Sequence, residues 1–209
     1  DEMPRFICRK LYRYFICDEP APPDELIDGP AKTFRESGLQ VAPVLRQMLA
    51  SNLFFSKHVG ARKIKSPVEL VIGMLRGLGG TTNSELIARG LRNIGQGLFY
   101  PPNVKGWDGG RAWINSSTLL GRANLFEEIL SNEATKFDGK TLAEYLAGHH
   151  VNSARGAIDH FETCLMAVPI DPSTRQQLQQ SFGSGNGDPD QRYRQLLHAV
   201  TSLPEFQLG

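Results

Sequence analysis

Apolar residues recur every three or four positions along most of this 209-residue sequence. Residues 41–49 show the pattern clearly, with apolar side chains at Val41, Val44, Leu45, Met48 and Leu49. This spacing places the side chains on one face of an α-helix. No segment alternates apolar and polar residues over the length of a typical strand. The sequence therefore predicts an all-α fold, built as an irregular multi-helix bundle.

Start and stop signals define one helix especially well. Ser66 is suited to cap the helix N-terminus, Pro67 to occupy the first helical position, and Glu69 to complete a capping box. Gly79 and Gly80 follow as stop signals. We expect a helix from residue 67 to just before these glycines.

The remaining helices are predicted from periodicity alone. They lie at about residues 6–15, 24–37, 83–96, 116–129, 141–147, 153–167, 173–182 and 190–202. The Gly-, Ser- and Asn-rich residues 183–189 are typical of a flexible linker. A loop near residues 131–140 predicts a seam between a main bundle (residues 1–131) and a smaller C-terminal helical extension (residues 132–209).

Charge and composition exclude some classes of function. The 23 Lys and Arg balance 22 Asp and Glu, so bulk charge predicts neither nucleic acid nor an anionic membrane as a partner, and only a local basic face stays open. No apolar run approaches the length of a membrane span, and charges interrupt any signal-peptide pattern at the start. The chain begins on what reads as a helix already under way, so we expect a fragment of a longer protein.

Residues 100–115, YPPNVKGWDGGRAWIN, combine two prolines with three glycines. This composition excludes a regular helix and predicts a long Gly/Trp/Pro-rich loop. The indoles of Trp107 and Trp113 are suited either to anchor the loop on the bundle or to stack on a flat ligand such as a sugar ring. Polar groups beside aromatic rings are typical of a binding cleft. The candidate binding residues are Asn103, Lys105, Trp107, Asp108, Arg111, Trp113 and Asn115.

Two of these polar residues have a simpler interpretation. Asn115 begins an Asn-Ser-Ser triplet, which matches the acceptor pattern for N-glycosylation, but its position favours a cap on the following helix. Asp108 and Arg111 are close enough in sequence to pair with each other.

One cluster, His149, His150, His160 and Cys164, has metal-ligand chemistry. His160 and Cys164 lie four positions apart, so a helix places them on one face. A buried thiol and a His pair at a helix C-terminus explain the same residues more simply. No metal and no cofactor is predicted.

Three segments, RFICRKLYRYF, KSPVELVIGMLRGLG and GQGLFYPPNVKGWDGGRAWINSSTLLGRANL, resemble the C-terminal part of the bacterial domain of unknown function 1800 family. The resemblance implies a long, mostly helical, exported protein, and hence a periplasmic or extracellular location. Members are often encoded beside a second uncharacterised exported protein. The resemblance implies no reaction and no catalytic residue. The motif positions interpreted as structural are Lys65, Pro67, Glu69, Arg76 and Arg122.

Two functions of different classes follow. The first is a helical binding or assembly module in which the Gly/Trp/Pro-rich residues 100–115, the Trp loop, dock on a partner protein or polysaccharide. The alternative is part of an exported hydrolase or transferase acting on polymers, with Glu69 and Asp108 meeting across a cleft as acid and base. Against this alternative, we expect Glu69 to be buried in an ion pair with Arg76, Arg111 or Arg122.

Overall fold

The computed structural model describes residues 2–17, 20–56, 59–184 and 188–209. Within these residues the chain forms ten α-helices, two short 3-10 helices and one antiparallel pair of two-residue strands. The predicted all-α fold is confirmed. None of the described helices has the length and apolar character that crossing a membrane requires.

The chain divides into two compact units, Asp1–Lys63 and Ile64–Gly209. The first unit contains α1 (Glu2–Phe15), α2 (Asp24–Glu36) and α3 (Val41–Leu49). The helices of the second unit are α4 (Pro67–Gly77), α5 (Ser84–Asn93), α6 (Ser116–Ser131), α7 (Leu142–Gly148), α8 (Ala154–Leu165), α9 (Pro172–Ser184) and α10 (Pro189–Thr201). Its other elements are β1 (Gly80–Thr81), β2 (Lys136–Phe137) and the 3-10 helices Gly110–Trp113 and Pro204–Gln207.

The first unit buries one face of each of its three helices. Cys8 and Tyr12 of α1 share an apolar cluster with Ile27 and Phe34 of α2 and with Val44 of α3. Each fully buried Ile, Phe or Val side chain contributes about 1.5–3 kcal/mol to the free energy of folding. The periodic apolar positions therefore fold this segment as a three-helix unit.

The second unit has its own core, in which α4, α6, α8 and α10 take part. Leu70, Phe126, Phe161 and Leu197, one from each helix, are fully buried there. The seam predicted near residue 131 falls within this unit, and it stays a prediction. α6 packs on α10, and the Gly/Trp/Pro-rich loop joins α5 to α6.

The capping box of α4 is confirmed. Ser66 Oγ accepts a hydrogen bond from the Glu69 N–H at 3.3 Å, and Glu69 Oε2 accepts one from the Ser66 N–H at 2.8 Å. Pro67 is the first helical residue. The expectation of a buried Glu69 is wrong, because the carboxylate reaches back to an exposed helix start and is itself exposed.

The short strands β1 and β2 are not predictable from the sequence, since two residues are too few to show alternation. Gly80 of β1 pairs with Phe137 of β2. Before them, Gly79 adopts a left-handed φ of +59°, and a Cβ there would lie 2.1 Å from Asp138 Oδ1. Only glycine fits this close approach.

Two predicted loop features are only partly described. α9 continues through Gly183 to Ser184, and Asp188 caps α10 by accepting a hydrogen bond from the Gln191 N–H at 2.9 Å. The rest of the predicted linker, residues 185–187, lies outside the described residues. So do residues 18 and 19, which follow the first predicted helix.

Candidate functional site

The loop between α5 and α6 is built from a series of tight turns. Gly95 takes a left-handed φ of +98° and closes α5, where the Gln96 N–H donates to the Leu91 carbonyl at 2.8 Å. Gln96 Oε1 in turn accepts the Val68 N–H of α4 at 2.9 Å. The first end of the loop is therefore fixed to the start of α4.

Trp113 fixes the other end of the loop. Its side chain is buried, with 8% of its surface exposed. Its carbonyl oxygen accepts hydrogen bonds from Thr118 Oγ1 at 3.0 Å and from Arg122 Nη2 at 3.3 Å. Both donors lie on α6, so Trp113 anchors the loop to the bundle as one of the two sequence interpretations requires.

Trp107 has a different environment. Its indole is half-buried and forms one wall of an open cleft of about 470 Å³. The guanidinium carbon of Arg92 lies 5.4 Å from the centre of the Tyr100 ring, a cation–π contact at the side of this cleft. The cleft is lined by Arg92, Gly95, Gly97, Tyr100, Pro102 and Trp107.

Large apolar side chains are exposed on the same stretch of chain. Phe99 is 95% exposed and Val104 fully exposed. Within the described part of residues 64–209, every large hydrophobic side chain that is exposed belongs to residues 98–120. We call these six residues the apolar patch: Leu98, Phe99, Tyr100, Val104, Leu119 and Leu120.

The backbone at Phe99 is strained. Its φ is +64°, a left-handed conformation that costs a bulky residue about 1 kcal/mol or more relative to glycine. Phe99 lies within a turn, in which the Tyr100 N–H donates a hydrogen bond to the Gly97 carbonyl at 3.0 Å. A strained residue with an exposed aromatic ring is a feature typical of functional loops.

The predicted polar residues of the loop lie on its surface. Asn103 Oδ1 accepts the Lys105 N–H at 2.8 Å and shapes the turn. Lys105 Nζ donates to Asp108 Oδ1 at 2.6 Å, and this hydrogen bond holds the pKa of the Asp108 carboxyl below its usual range. Arg111 is also exposed. Asn115 is the N-cap of α6, since its Oδ1 accepts the Thr118 N–H at 2.9 Å.

Two of the structural motif residues, Lys65 and Arg122, meet in a largely buried hydrogen-bond network of the second unit. Arg122 is 1% exposed and donates to Lys65 O at 3.0 Å and to Gln207 Oε1 at 2.9 Å. Lys65 Nζ donates to the carbonyls of Leu165 at 3.3 Å and Phe206 at 3.0 Å. Burial lowers the pKa of Arg122 to about 10 and lowers that of Lys65 as well. The sequence predicts no partner for Gln207, so its part in the network is a finding of the structure.

The predicted acid and base, Glu69 and Asp108, do not line the Trp107 cleft. Glu69 caps α4, and Asp108 pairs with Lys105. Arg76, in the last turn of α4, is exposed. The two carboxylates therefore have separate local roles: Glu69 caps a helix, and Asp108 forms an ion pair.

Three of the four predicted His and Cys residues, His149, His160 and Cys164, form a contact cluster with Tyr145. Tyr145 Oη lies 3.2 Å from His160 Nε2, and Cys164 Sγ lies 3.8 Å from the same nitrogen. His149 is the C-cap residue of α7, with Nδ1 2.9 Å from the Tyr145 carbonyl oxygen. Burial raises the pKa of the Cys164 thiol and lowers that of His160. In the described chain, no three His, Cys, Asp or Glu side chains are grouped to hold a metal ion.

Comparison with known proteins gives a family without a described activity. No curated protein and no solved structure matches the chain. Residues 1–208 match the family described as a protein of unknown function, DUF1800. Because the match spans essentially the whole chain, this protein belongs to the DUF1800 family.

Proposed function

We propose that the chain is a helical binding or assembly module, and that the apolar patch with the adjoining Trp107 cleft is its docking surface for a partner protein. The observation that carries the proposal is that, among the described residues of the second unit, every exposed large hydrophobic side chain belongs to residues 98–120. Elsewhere in this unit the described large apolar side chains are buried or half-buried. Exposed apolar side chains gathered on one stretch of chain are typical of interaction sites.

The chemistry of the patch favours a protein over a polysaccharide. Sugar rings stack on aromatic faces, and Trp107 with Tyr100 offers two such faces. Leu98, Phe99 and Val104, however, present aliphatic and aromatic surface with no hydrogen-bonding group. Interfaces between proteins bury side chains of this kind at their centre and keep polar residues at the rim. The exposed Lys105–Asp108 pair supplies such a rim.

The backbone at Phe99 supports the same proposal. A left-handed φ at a bulky residue costs free energy in the unbound chain. The cost is offset when the ring, held out into solvent, inserts into a complementary pocket of a partner. Fully buried aromatic side chains of this kind contribute most to protein–protein binding.

We also propose that the protein works outside the cytoplasm, as its family resemblance implies. Fractionation of the cells that naturally make the protein tests this separately. Recovery in the cytoplasmic fraction alone contradicts it.

Site-specific cross-linking tests the docking surface. A photoreactive amino acid placed at position 99 is expected to yield one discrete protein adduct in the cell that makes the chain. The same amino acid at Arg155, whose side chain is 81% exposed on α8, is the matched control and is expected to yield none. The cross-linked protein is then purified and its affinity for the chain measured by calorimetry.

Substitution of Phe99 measures how much its ring contributes to the binding free energy. Phe99→Ser is expected to weaken binding of that purified protein by about 2 kcal/mol, or roughly thirtyfold. Phe55→Ser, at an exposed phenylalanine of the first unit, is expected to leave it unchanged. Unchanged binding by Phe99→Ser overturns the proposal. Protection of Trp107 fluorescence by a polysaccharide, without any protein adduct, supports a glycan in place of a protein.

A further inference from the structure

The first helix has two contrasting faces. Its inner face buries Pro4, Cys8 and Tyr12 in the core of the first unit. Five exposed residues lie on the opposite side, and at 3.6 residues per turn they fall within an arc of about 100°. We call them the outer stripe: Met3, Phe6, Lys10, Arg13 and Tyr14.

The outer stripe combines apolar surface with positive charge. Phe6 is 51% exposed and Tyr14 67% exposed. Lys10 Nζ lies 4.7 Å from the centre of the Phe6 ring, and Lys63 Nζ lies 5.4 Å from that of Tyr14. The stripe thus presents aromatic rings with ammonium groups directly beside them.

No carboxylate belongs to the stripe. Glu2, at its edge, accepts a hydrogen bond from Arg9 on the adjoining side of the helix at 2.9 Å. Among the described residues, neither Lys10 nor Arg13 takes part in an ion pair, whereas Arg5 and Arg9 do. The positive charge of the stripe is therefore available to an anionic partner, although the whole chain carries a formal charge of only +1.

We propose that the outer stripe binds the surface of an anionic phospholipid bilayer, with α1 lying parallel to the membrane plane. Lys10 and Arg13 contact headgroup phosphates, while Met3 and Phe6 enter the boundary between headgroups and acyl chains. Tyr14 lies at the interface, where its ring contacts apolar groups and its hydroxyl stays hydrated. This surface lies on the first unit and does not depend on the proposed function of the apolar patch.

The side chains favour a bilayer over a soluble polyanion or an acidic protein. A polyanion recognises the two cations alone and leaves Met3 and Phe6 in water. An acidic protein would need an apolar groove shaped for a convex helix face. A fluid bilayer supplies both phosphate and adjustable apolar volume. With two cations and few apolar side chains, the binding is reversible and falls with added salt.

Vesicle co-sedimentation with the 209-residue chain tests the inference. The chain is expected to sediment with vesicles of phosphatidylcholine mixed with phosphatidylglycerol, and not with phosphatidylcholine alone. Each cation near such a surface is worth about fivefold in affinity, so Lys10→Glu with Arg13→Glu is expected to weaken binding at least about twentyfold. Phe6→Ser is expected to weaken binding as well, because its ring no longer enters the boundary region.

The control variants separate the stripe from bulk charge and from the apolar patch. Arg46→Glu with Arg155→Glu changes the net charge equally at exposed positions off the stripe and is expected to retain binding. Phe99→Ser is also expected to retain it. Each variant is first checked for a wild-type circular dichroism spectrum and melting temperature.

Three results overturn the inference. One is no sedimentation of the wild-type chain with anionic vesicles at low salt. The second is equal weakening by the off-stripe charge variant, which assigns the effect to bulk charge. The third is full binding by Phe6→Ser together with complete competition by poly-glutamate, which assigns the stripe to an acidic partner.

Discussion

Arg122 and Gln207 lie 85 positions apart in sequence, and a 2.9 Å hydrogen bond from Arg122 Nη1 to Gln207 Oε1 joins them in the interior of the second unit. Gln207 Nε2 donates onward to the Thr201 carbonyl at 3.0 Å. Arg122 also reaches the carbonyls of Lys65 and Trp113. One guanidinium thus connects α6 to the start of α4, to the end of the Trp loop and to the C-terminus.

Arg122→Met is expected to destabilise the second unit by about 2–4 kcal/mol. The substitution keeps much of the buried volume but removes the donor from Gln207 Oε1 and from the Lys65 carbonyl, whereas the Trp113 carbonyl keeps its hydrogen bond from Thr118 Oγ1. Each buried unsatisfied group costs about 1–3 kcal/mol. Burial also opposes the charge of Arg122, whose pKa it lowers to about 10, so the net loss stays below the sum of the two. Urea unfolding followed by Trp113 fluorescence measures the difference.

Arg76→Met provides the comparison, since Arg76 is an exposed arginine of the same unit. It is expected to change the free energy of unfolding by less than about 0.5 kcal/mol, as surface substitutions usually do. Similar losses for the two variants would contradict a structural role specific to Arg122.

Local sequence signals predict much of this fold, but they do not predict its long-range contacts. Ser66 and Glu69 identify the start of α4 because a capping box involves only neighbours in sequence. Lys65 is predicted to be structural from its place beside that cap, yet its partner carbonyl on Leu165 lies 100 positions away. No feature of the sequence predicts that Gln207 pairs with Arg122, 85 positions away. Such pairings depend on how helices pack, which a single sequence does not encode locally.

The candidate site is likewise predictable from the sequence only in part. The irregular loop and its two indoles follow from glycine and proline spacing. The sequence leaves open which indole is the anchor, because both have similar neighbours. Burial distinguishes Trp113 from Trp107. The exposure of Phe99 and Val104 also depends on the folded chain, since apolar residues in a sequence are by default expected to be inside.

Two glycines of α4, one turn apart, are expected to respond oppositely to alanine. Gly73→Ala meets no heavy atom within 4 Å and should stabilise the helix by about 0.5–1 kcal/mol through lower chain entropy. At Gly77 a Cβ would lie 2.8 Å from Leu165 Cδ2 and 3.0 Å from the Cys164 carbonyl oxygen. Gly77→Ala should therefore cost about 1–2 kcal/mol.

Thermal unfolding of the two alanine variants checks the pair. The melting temperature should rise for Gly73→Ala and fall for Gly77→Ala. A rise for both would mean that Leu165 of α8 is readily displaced and that α4 and α8 are not tightly packed at this contact.

The two indoles should differ in access to solvent. In Trp113→Phe the remaining emission comes from Trp107, and in Trp107→Phe it comes from the buried Trp113. Acrylamide is expected to quench the first variant several times more strongly, because collision requires exposed ring surface. Equal quenching constants in two folded variants would contradict the open cleft beside Trp107.

Glu144 should contribute to the acid sensitivity of the second unit. Hydrogen bonds from the Thr141 N–H and hydroxyl, each 3.0 Å long, lower the pKa of its carboxyl. A lowered folded-state pKa gives stability that is present above the unfolded-state pKa and is lost as the pH falls through the folded one. The stability difference between wild type and Glu144→Gln should therefore shrink on acidification.

Unfolding at a series of pH values measures this difference. Glu133→Gln, which removes one exposed carboxylate from the turn after α6, is the matched control for the loss of charge. A Glu144→Gln difference that persists into strong acid would assign its effect to packing instead of ionisation.

Cys164 should be the only described cysteine that reacts in the folded chain. It is exposed on α8, whereas Cys8 and Cys17 are buried in the first unit. Partial burial raises the pKa of the Cys164 thiol, so the reactive thiolate is scarce at neutral pH and the rate should increase steadily toward alkaline pH. Titration with a chromogenic disulfide should release one equivalent from the native wild type, none from native Cys164→Ser, and the remainder only in denaturant. Rapid native labelling of Cys164→Ser would mean that the core around Cys8 opens readily, and a rate independent of pH would place the Cys164 thiolate pKa below neutrality.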